Sequence, residues 1–315
     1  QRIMSASVGE PVEDEFLELV YDQCGFRPWI DRSKVAGRAT PAPDFKVLVI
    51  GAGMTGMAAA TKLREAGYNF VVIEKNSDVG GTWYENRYPG VGVDTPSHFY
   101  SFSWEIWPNW HHYHPHGADM QQYMLDVADK YDLRRDMRFN TRVEKLAWDE
   151  ASGTWTVTVR NADGTTEDIV VNAVINGHGP VNRYKFPDIP GLNDFKGPVV
   201  HTAAYPADLD LAGKRVAVIG TGASSAQLCG AIAPEVAELT VYQRTKHWVL
   251  HNPEIANEVD EGMKWALANI PTFKEWFRFR VYWAAADGLF DNVLLDPAWE
   301  GNKLAVSASN EGIRQ

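Results

Sequence analysis

Three glycines followed by an acid form the residue set in this sequence that is best suited to hold a ligand. Gly51, Gly53 and Gly56 follow the Val-rich run 46–50, and an Ala-rich helical pattern continues to Gly67. In a strand–turn–helix unit, the first glycine permits a tight turn and the second lets the backbone approach a pyrophosphate. The third lets helix and strand pack closely. The spacing predicts a dinucleotide-binding loop, and a glycine-rich turn of another α/β protein is the alternative.

Glu74 follows the next predicted strand, 70–73, and lies 23 residues after Gly51. A carboxylate at this place accepts hydrogen bonds from ribose hydroxyls and repels a 2′-phosphate. The first unit is therefore expected to bind FAD or NAD rather than NADP.

A second strand–turn–helix pattern begins at 214–220. It contains Gly220 and Gly222, with Ser225 in place of the third glycine and Ser224 beside it. Serine is small enough to permit helix–strand packing, so a second dinucleotide loop is expected.

Arg244 follows the second strand of this unit, 238–242, and lies 24 residues after Gly220. A guanidinium there can hold a 2′-phosphate through two hydrogen bonds, and the hydroxyl of Thr245 adds another polar group. The second unit is expected to prefer NADP. The alternative is a surface salt bridge for Arg244.

A loop dense in glycine, aromatic residues and proline follows Glu74. Its members are Gly80, Gly81, Trp83, Arg87, Tyr88, Pro89, Gly90 and Asp94. Glycines in such a loop permit close approach to a flat ring. The loop resembles a signature of the Baeyer–Villiger monooxygenases, flavoproteins that insert one oxygen atom of O2 beside a ketone carbonyl.

The proline-rich connector 181–212 resembles the other fingerprint of that family, Phe-x-Gly-x-x-x-His-x-x-x-Trp. The matching residues are Phe195, Gly197, His201, Tyr205 and Pro206, with Tyr205 where the family has Trp. The Gly- and Pro-rich setting favours a hinge or hydrogen-bonding role for His201 over that of a general base.

The resemblance implies an NADPH- and FAD-dependent enzyme in which reduced flavin and O2 give a peroxyflavin that converts a ketone to an ester or lactone. The residues expected to bind the cofactors are Gly51, Gly53, Gly56, Glu74, Gly81, Thr82, Trp83, Tyr88, Asp94, Tyr100, Gly220, Gly222, Ser224, Ser225, Arg244 and Thr245. Asp94 is implied to be catalytic because it would orient an arginine that we expect beyond Gln315. The tract 243–248 and the aromatic segment 265–283 resemble the hydroxyacetophenone branch, which implies aryl ketones. Such an aromatic segment is also typical of core or lid packing.

Two other activities fit the glycine loops. An N- or S-oxidising flavin monooxygenase shares both of them, and a non-catalytic FAD-binding module needs only the first. A disulfide reductase is disfavoured because no CxxC motif follows either loop. Four histidines, His111, His112, His114 and His116, suggest a metal, but no cysteine and no helical pair supports one, so a loop beside the flavin is expected and no metal.

The formal net charge of −11 argues against nucleic-acid or anionic-membrane partners. Cys24 and Cys229 form no disulfide framework, which favours a cytoplasmic location, and no apolar run approaches the roughly 18 residues of a spanning helix. The expected partners are a small-molecule ketone and O2, and the expected assembly is a homodimer.

The predicted fold is α/β, with two Rossmann-like dinucleotide-binding domains built on doubly wound parallel sheets (three-layer ββα) and a small antiparallel β-meander. The expected divisions are an N-terminal extension packed on the first domain (1–44), an FAD-binding domain (45–180) with its β-meander (137–172), an interdomain linker (181–212), an incomplete NADP-binding unit (213–253) and a helical, aromatic-rich segment (254–315).

Overall fold

The computed structural model describes residues 1–9, 11–24, 40–245 and 255–293. The α-helices are α1 (Arg2–Val8), α2 (Leu17–Gln23), α3 (Met54–Glu65), α4 (Thr82–Glu85), α5 (Gly117–Lys130), α6 (Ala223–Ile232), α7 (Glu261–Asn269) and α8 (Phe273–Val293). The strands are β1 (Lys46–Ile50), β2 (Asn69–Ile73), β3 (Met137–Arg138), β4 (Arg142–Asp149), β5 (Thr154–Arg160), β6 (Thr166–Val171), β7 (Ala173–Asn176), β8 (Arg215–Ile219) and β9 (Glu238–Tyr242).

These residues form two compact units. The first-sheet unit comprises the described residues of 30–91 and 120–212, and the second-sheet unit comprises those of 1–29, 92–119 and 213–315.

The first-sheet unit contains a parallel sheet in the order β3-β2-β1-β7. Leu48 and Val49 of β1 are fully buried, as expected of a parallel strand that is covered on both faces. The register pairs Ile50 with Ile73, so β1 and β2 end side by side. The residues that follow these two strands are therefore neighbours at one edge of the sheet.

An antiparallel sheet, β4-β5-β6, packs on the parallel sheet of the same unit. Val157, Val159 and Val171 share a buried core with Leu48 and Ile73. The sequence predicted strands at β4 and β5, and these two strands pair with each other. It also predicted that the chain returns to the parallel sheet through β7, which pairs with β1 as expected.

The start of the predicted β-meander, residue 137, is wrong. Met137 and Arg138 pair in parallel with β2, so the antiparallel sheet begins at Arg142. The Arg138 carbonyl accepts a hydrogen bond from the Glu74 amide, which extends the parallel ladder to the end of β2. A two-residue strand is too short to show a periodicity of its own.

The second-sheet unit contains one β–α–β element, in which α6 joins the parallel strands β8 and β9. Its register pairs Ile219 with Tyr242 and so repeats the pairing of Ile50 with Ile73. Of the predicted NADP-binding unit, 213–253, residues 246–253 lie outside the described residues.

The N-terminal helices pack on α8, and not on the first domain as the sequence analysis predicted. Met4 and Val20 share a core with Phe279 and Trp283, all nearly inaccessible to solvent. Cys24 lies in the same core, and burial raises the pKa of its thiol to about 12. The prediction failed because an amphipathic helix does not specify which apolar surface it will cover.

The segment 92–119 groups with the second-sheet unit, although the sequence assigned it to the FAD-binding domain. The Tyr113 amide donates to the Asn257 carbonyl at 3.0 Å, and the Val259 amide donates to the His111 carbonyl at 2.8 Å. Such backbone pairing has no side-chain signature, so the sequence gives no sign of it.

Candidate functional site

The first glycine loop has the backbone conformation that a pyrophosphate site requires. Gly51 has φ of +90°, and Gly53 caps α3 with extended backbone and without a side-chain hydrogen bond. A Cβ on Gly56 would lie 1.8 Å from the Gly51 carbonyl oxygen, so only glycine permits this approach of helix to strand. The first amides of α3 therefore lack a side-chain cap and are oriented to meet an anion.

Glu74 lies beside this loop, as predicted, and is only 4 % exposed. Its Oε2 accepts a hydrogen bond from the Ala52 amide at 2.6 Å, and its Oε1 accepts one from the Asn76 amide at 2.8 Å. The carboxylate therefore joins the end of β2 to the glycine loop. This is the place at which the ribose of a dinucleotide is held in folds of this type.

Two further glycine segments approach the same loop. A Cβ on Gly81 would lie 2.9 Å from the Gly53 Cα, and a Cβ on Gly177 would lie 2.9 Å from the Ile50 carbonyl oxygen. Gly80 has φ of +130° and faces the Gln121 side chain, whose amide donates to the Val79 carbonyl. The end of β1 is thus surrounded by backbone and few side chains, which suits close contact with an extended ligand.

Thr82, Trp83 and Tyr88 follow Gly81 in the first-sheet unit. Thr82 and Trp83 begin α4, and Trp83 and Tyr88 are buried. Asp94 and Tyr100 lie instead in the second-sheet unit, where Asp94 is exposed and Tyr100 is partly buried. No role was predicted for Gly177 or Gln121. Gly177 could have been identified from the sequence because it directly follows β7, the strand that returns to the parallel sheet. Nothing in the sequence of α5 distinguishes Gln121 from its neighbours.

The second glycine loop repeats the conformation of the first. Gly220 has φ of +108°, and Gly222 caps α6 with φ of −74° and ψ of −179°, close to the −76° and −169° of Gly53. Neither cap makes a side-chain hydrogen bond. Ser224 and Ser225 lie in the first turn of α6, and the Ser225 hydroxyl is 3.7 Å from the Cys229 sulfur.

Gln243 is the structural counterpart of Glu74, and Arg244 is the residue after it. Gln243 follows the pair Ile219–Tyr242 as Glu74 follows Ile50–Ile73. Its Nε2 donates to the Thr221 hydroxyl at 3.2 Å. A neutral amide therefore replaces the carboxylate, whereas the sequence analysis assigned the nucleotide-binding role to the next residue, Arg244.

Arg244 and Thr245 are exposed at the end of β9. Arg244 makes no ion pair within the described part of the chain, which lends no support to the surface salt-bridge alternative.

In the connector, His201 acts as a cap. Its Nδ1 accepts a hydrogen bond from the Ala203 amide at 3.1 Å, at the start of a short 3-10 helix that ends before Tyr205 and Pro206. The imidazole stacks on Tyr184 with a centroid distance of 4.8 Å and meets the edge of Phe186 at 5.8 Å. The fingerprint residues Phe195 and Gly197 are in contact: a Cβ on Gly197 would lie 2.6 Å from the Phe195 ring. Capping by Nδ1 supports the hydrogen-bonding role predicted for His201.

The clustered histidines interact with an acid and with one another. His111 Nδ1 lies 2.7 Å from an Asp119 oxygen, and the rings of His112 and His116 lie 4.4 Å apart. Across the residues that the structure describes, no group of three or more His, Cys, Asp or Glu residues is placed to hold a metal ion.

His98 is the most deeply buried histidine of the second-sheet unit's described part. It is fully inaccessible, and neither ring nitrogen has a hydrogen-bond partner among described residues. Its ring meets the edge of Phe277 at 4.9 Å. Burial lowers the pKa of His98 to about 4, so the side chain is neutral at physiological pH.

The aromatic segment 265–283 forms part of a core, and is not an open stripe. Phe279 and Trp283 are buried against the N-terminal helices, whereas Trp265 is 62 % exposed. The described part of the chain contains no helix that is both long and apolar enough to cross a membrane. Residues 294–315 of the predicted C-terminal segment lie outside the described residues.

The two loops thus match in backbone conformation and differ in the residue that follows the second strand, which is Glu74 in one unit and Gln243 in the other. The chain belongs to the FMO-like family (flavin-binding monooxygenase-like), whose family model matches residues 44–279. This confirms the flavin monooxygenase family that the motifs predicted.

Individual relatives agree with the family. A Baeyer–Villiger monooxygenase of Streptomyces coelicolor is 45% identical over 207 residues, which are 65% of this chain and 39% of that protein. The crystal structure of cyclohexanone monooxygenase from Rhodococcus sp. Phi1 bound to NADP+ has a TM-score of 0.64 and 35% identity, covering 80% of this chain and 45% of that one. The structure of OTEMO in complex with FAD and NADP has a TM-score of 0.66 and 35% identity, covering 73% of this chain and 44% of that one. The chain therefore spans less than half the length of these relatives.

Proposed function

We propose that the chain is the FAD- and NADP-binding part of an NADPH-dependent Baeyer–Villiger monooxygenase, which converts a ketone to an ester or lactone with O2. The observation that carries this proposal is one loop conformation built twice with opposite chemistry at its ribose end. Glu74 stands at the first loop, and Gln243 with Arg244 stands at the second.

The first loop suits FAD. Its glycine-lined backbone leaves room for a pyrophosphate, and the uncapped N-terminus of α3 offers amides to the phosphate oxygens. The Glu74 carboxylate is held in place by two backbone amides and can accept from ribose hydroxyls. A 2′-phosphate would be repelled there, which excludes NADP from this loop.

The second loop suits NADP. A neutral Gln243 replaces the carboxylate, and the exposed Arg244 guanidinium can hold a 2′-phosphate. Cofactors named for relatives, NADP+ with cyclohexanone monooxygenase and both FAD and NADP with OTEMO, support the same assignment.

Bound FAD would supply the electron-transfer and oxygen chemistry, while the chain's own residues hold and orient the partners. The Asp94 carboxylate is exposed and makes no ion pair among the described residues, so it can position a cationic group. The Val93 amide beside it donates to the Pro115 carbonyl at 2.9 Å, which fixes the backbone that carries Asp94. His201 holds the connector through its Nδ1 cap.

The experiment that tests this proposal uses the full-length FAD-bound protein in two stages. Anaerobic mixing with NADPH should bleach the flavin absorption band at about 450 nm. In air, acetophenone and cyclohexanone should then give phenyl acetate and caprolactone, whereas an amine and a thioether should give little product. A protein that stays yellow with NADPH, or that oxidises only the amine or thioether, would refute the proposal.

A further inference from the structure

The Asp94 loop, residues 92–95, makes three contacts with described residues of the second-sheet unit that bear on the position of Asp94. Gly92 pairs with His116 in an isolated antiparallel bridge, and the Val93 amide donates to the Pro115 carbonyl at 2.9 Å. The third contact is a side chain: Gln227 Nε2 donates to the Gly92 carbonyl at 3.0 Å. The first two contacts come from the segment just before α5, whereas the third comes from α6.

Gln227 lies one turn into the helix that the second glycine loop begins. α6 starts at Ala223 directly after Gly222, so Gln227 lies about 6 Å along the axis from the helix start. The helix has no side-chain cap, so no side chain satisfies the first amides of α6. A ligand whose phosphates bind those amides would reduce fraying of this turn and steady the Gln227 amide.

We propose that Gln227 is a positioning residue that couples nucleotide binding at the second glycine loop to the order of the Asp94 loop. The inference rests on the proposed function, because NADP is the ligand that it assigns to this loop. The direction of coupling follows from the hydrogen bond between Gln227 and Gly92. When α6 is better ordered, Gln227 holds the Gly92 carbonyl in place, and Gly92 lies two positions before Asp94. Since coupling is reciprocal, a well-ordered Asp94 loop also favours NADP binding.

The test measures hydrogen exchange of the Asp94 loop in the full-length FAD-bound protein, with and without NADP+. Gln227→Met keeps the length of the side chain and removes the donor, and Gln227→Lys restores a donor. Gln122→Met is the matched control, because Gln122 is exposed on α5 and, among the described residues, its side-chain amide donates to Asp126 of its own helix. Peptides covering 91–95 report the loop, and peptides covering 46–56 report the first glycine loop.

NADP+ is expected to slow exchange of 91–95 in the wild type, in Gln227→Lys and in Gln122→Met. In Gln227→Met the slowing should be lost and exchange should be about fivefold faster, the change expected from one neutral hydrogen bond. NADPH consumed without product, measured as hydrogen peroxide, should rise in Gln227→Met alone.

Equal slowing by NADP+ in Gln227→Met and the wild type would overturn the proposal, and so would an unchanged peroxide yield. The absence of any slowing in the wild type would also overturn it. A wild-type protein that oxidises no ketone, but in which NADP+ slows loop exchange through Gln227, would instead refute the proposed function and leave the coupling supported.

Discussion

Substitution at the end of β9 should change which nicotinamide cofactor the protein uses. Arg244 is exposed and makes no ion pair with any described residue, so Arg244→Ala removes no ion pair from the described part of the chain and should leave stability unchanged. Hydrogen bonds to a charged group contribute about 1.5–3 kcal/mol, and solvent exposure favours the lower half of that range. A loss of about 2 kcal/mol lowers kcat/KM for NADPH roughly 30-fold and leaves the value for NADH unaffected.

A second substitution at the same place should complete the change. Gln243→Glu puts a carboxylate at the counterpart of Glu74, where it repels a 2′-phosphate and accepts from ribose hydroxyls. The double variant Gln243→Glu/Arg244→Ala is therefore expected to prefer NADH. Anaerobic stopped-flow measurement of flavin reduction against the concentration of each nucleotide gives both constants.

Arg215→Ala is the matched control for loss of a guanidinium. Arg215 is exposed at the opposite end of the same two-stranded sheet, where its Nε lies 2.8 Å from a Glu238 oxygen. Its replacement should leave the ratio of NADPH to NADH efficiency at the wild-type value. The reasoning is refuted if Arg244→Ala also keeps that ratio, or if Arg215→Ala changes it as much.

Four further predictions address the glycine loop, the buried histidine, the helical core and cofactor release. Gly56→Ala puts a Cβ 1.8 Å from the Gly51 oxygen, so this variant should not retain FAD and its free energy of unfolding should fall by at least about 2 kcal/mol. As the control, Gly230→Ala in α6 puts a Cβ where no described atom lies within 4 Å, and its free energy of unfolding in denaturant should rise by about 0.5–1 kcal/mol. Burial lowers the pKa of His98 to about 4 from its ordinary 6.5, so the unfolded state binds more protons between these values. The unfolding free energy should therefore fall by up to about 3 kcal/mol as pH drops from about 6.5 to about 4, and His98→Leu should abolish that part of the pH dependence in urea titrations. Phe279→Ala should cost about 3–5 kcal/mol, because the ring is fully buried among the N-terminal helices, and an unchanged urea midpoint would contradict this packing. After dilution of the ternary complex, NADP+ should leave faster than FAD, as followed by ultrafiltration; equal rates would contradict the difference between the two loops.

The elements that position the first site could be predicted because each has a local signal. The glycine spacing after β1, the acid after β2 and the alternating pattern of β4 and β5 are all visible within a few residues. The return of the chain through β7 could be predicted because a short apolar run follows the antiparallel strands.

Long-range backbone contacts set the limit of that prediction. The grouping of 92–119 with 257–259 depends on amide and carbonyl groups that every residue carries. The packing of α1 and α2 on α8 depends on which of several apolar surfaces is free. The ribose-binding role was predicted for Arg244, but Gln243 is the residue 23 positions after Gly220, the same spacing that separates Glu74 from Gly51, and the strand register agrees with that count. The homodimer and the cytoplasmic location stay predictions.

The two glycine loops differ most in how closely they are enclosed, and this difference follows from single Cβ atoms. At the first loop, Gly51 and Gly56 leave no space for a side chain, and Gly81 and Gly177 approach from two other segments. At the second loop, Ser225 replaces the third glycine, and a Cβ on Gly220 would meet nothing within 4 Å among the described residues. Backbone that surrounds a ligand on several sides must move before the ligand can leave, whereas an open loop releases its ligand without such movement. The enclosed first loop therefore suits a cofactor that stays bound through many turnovers.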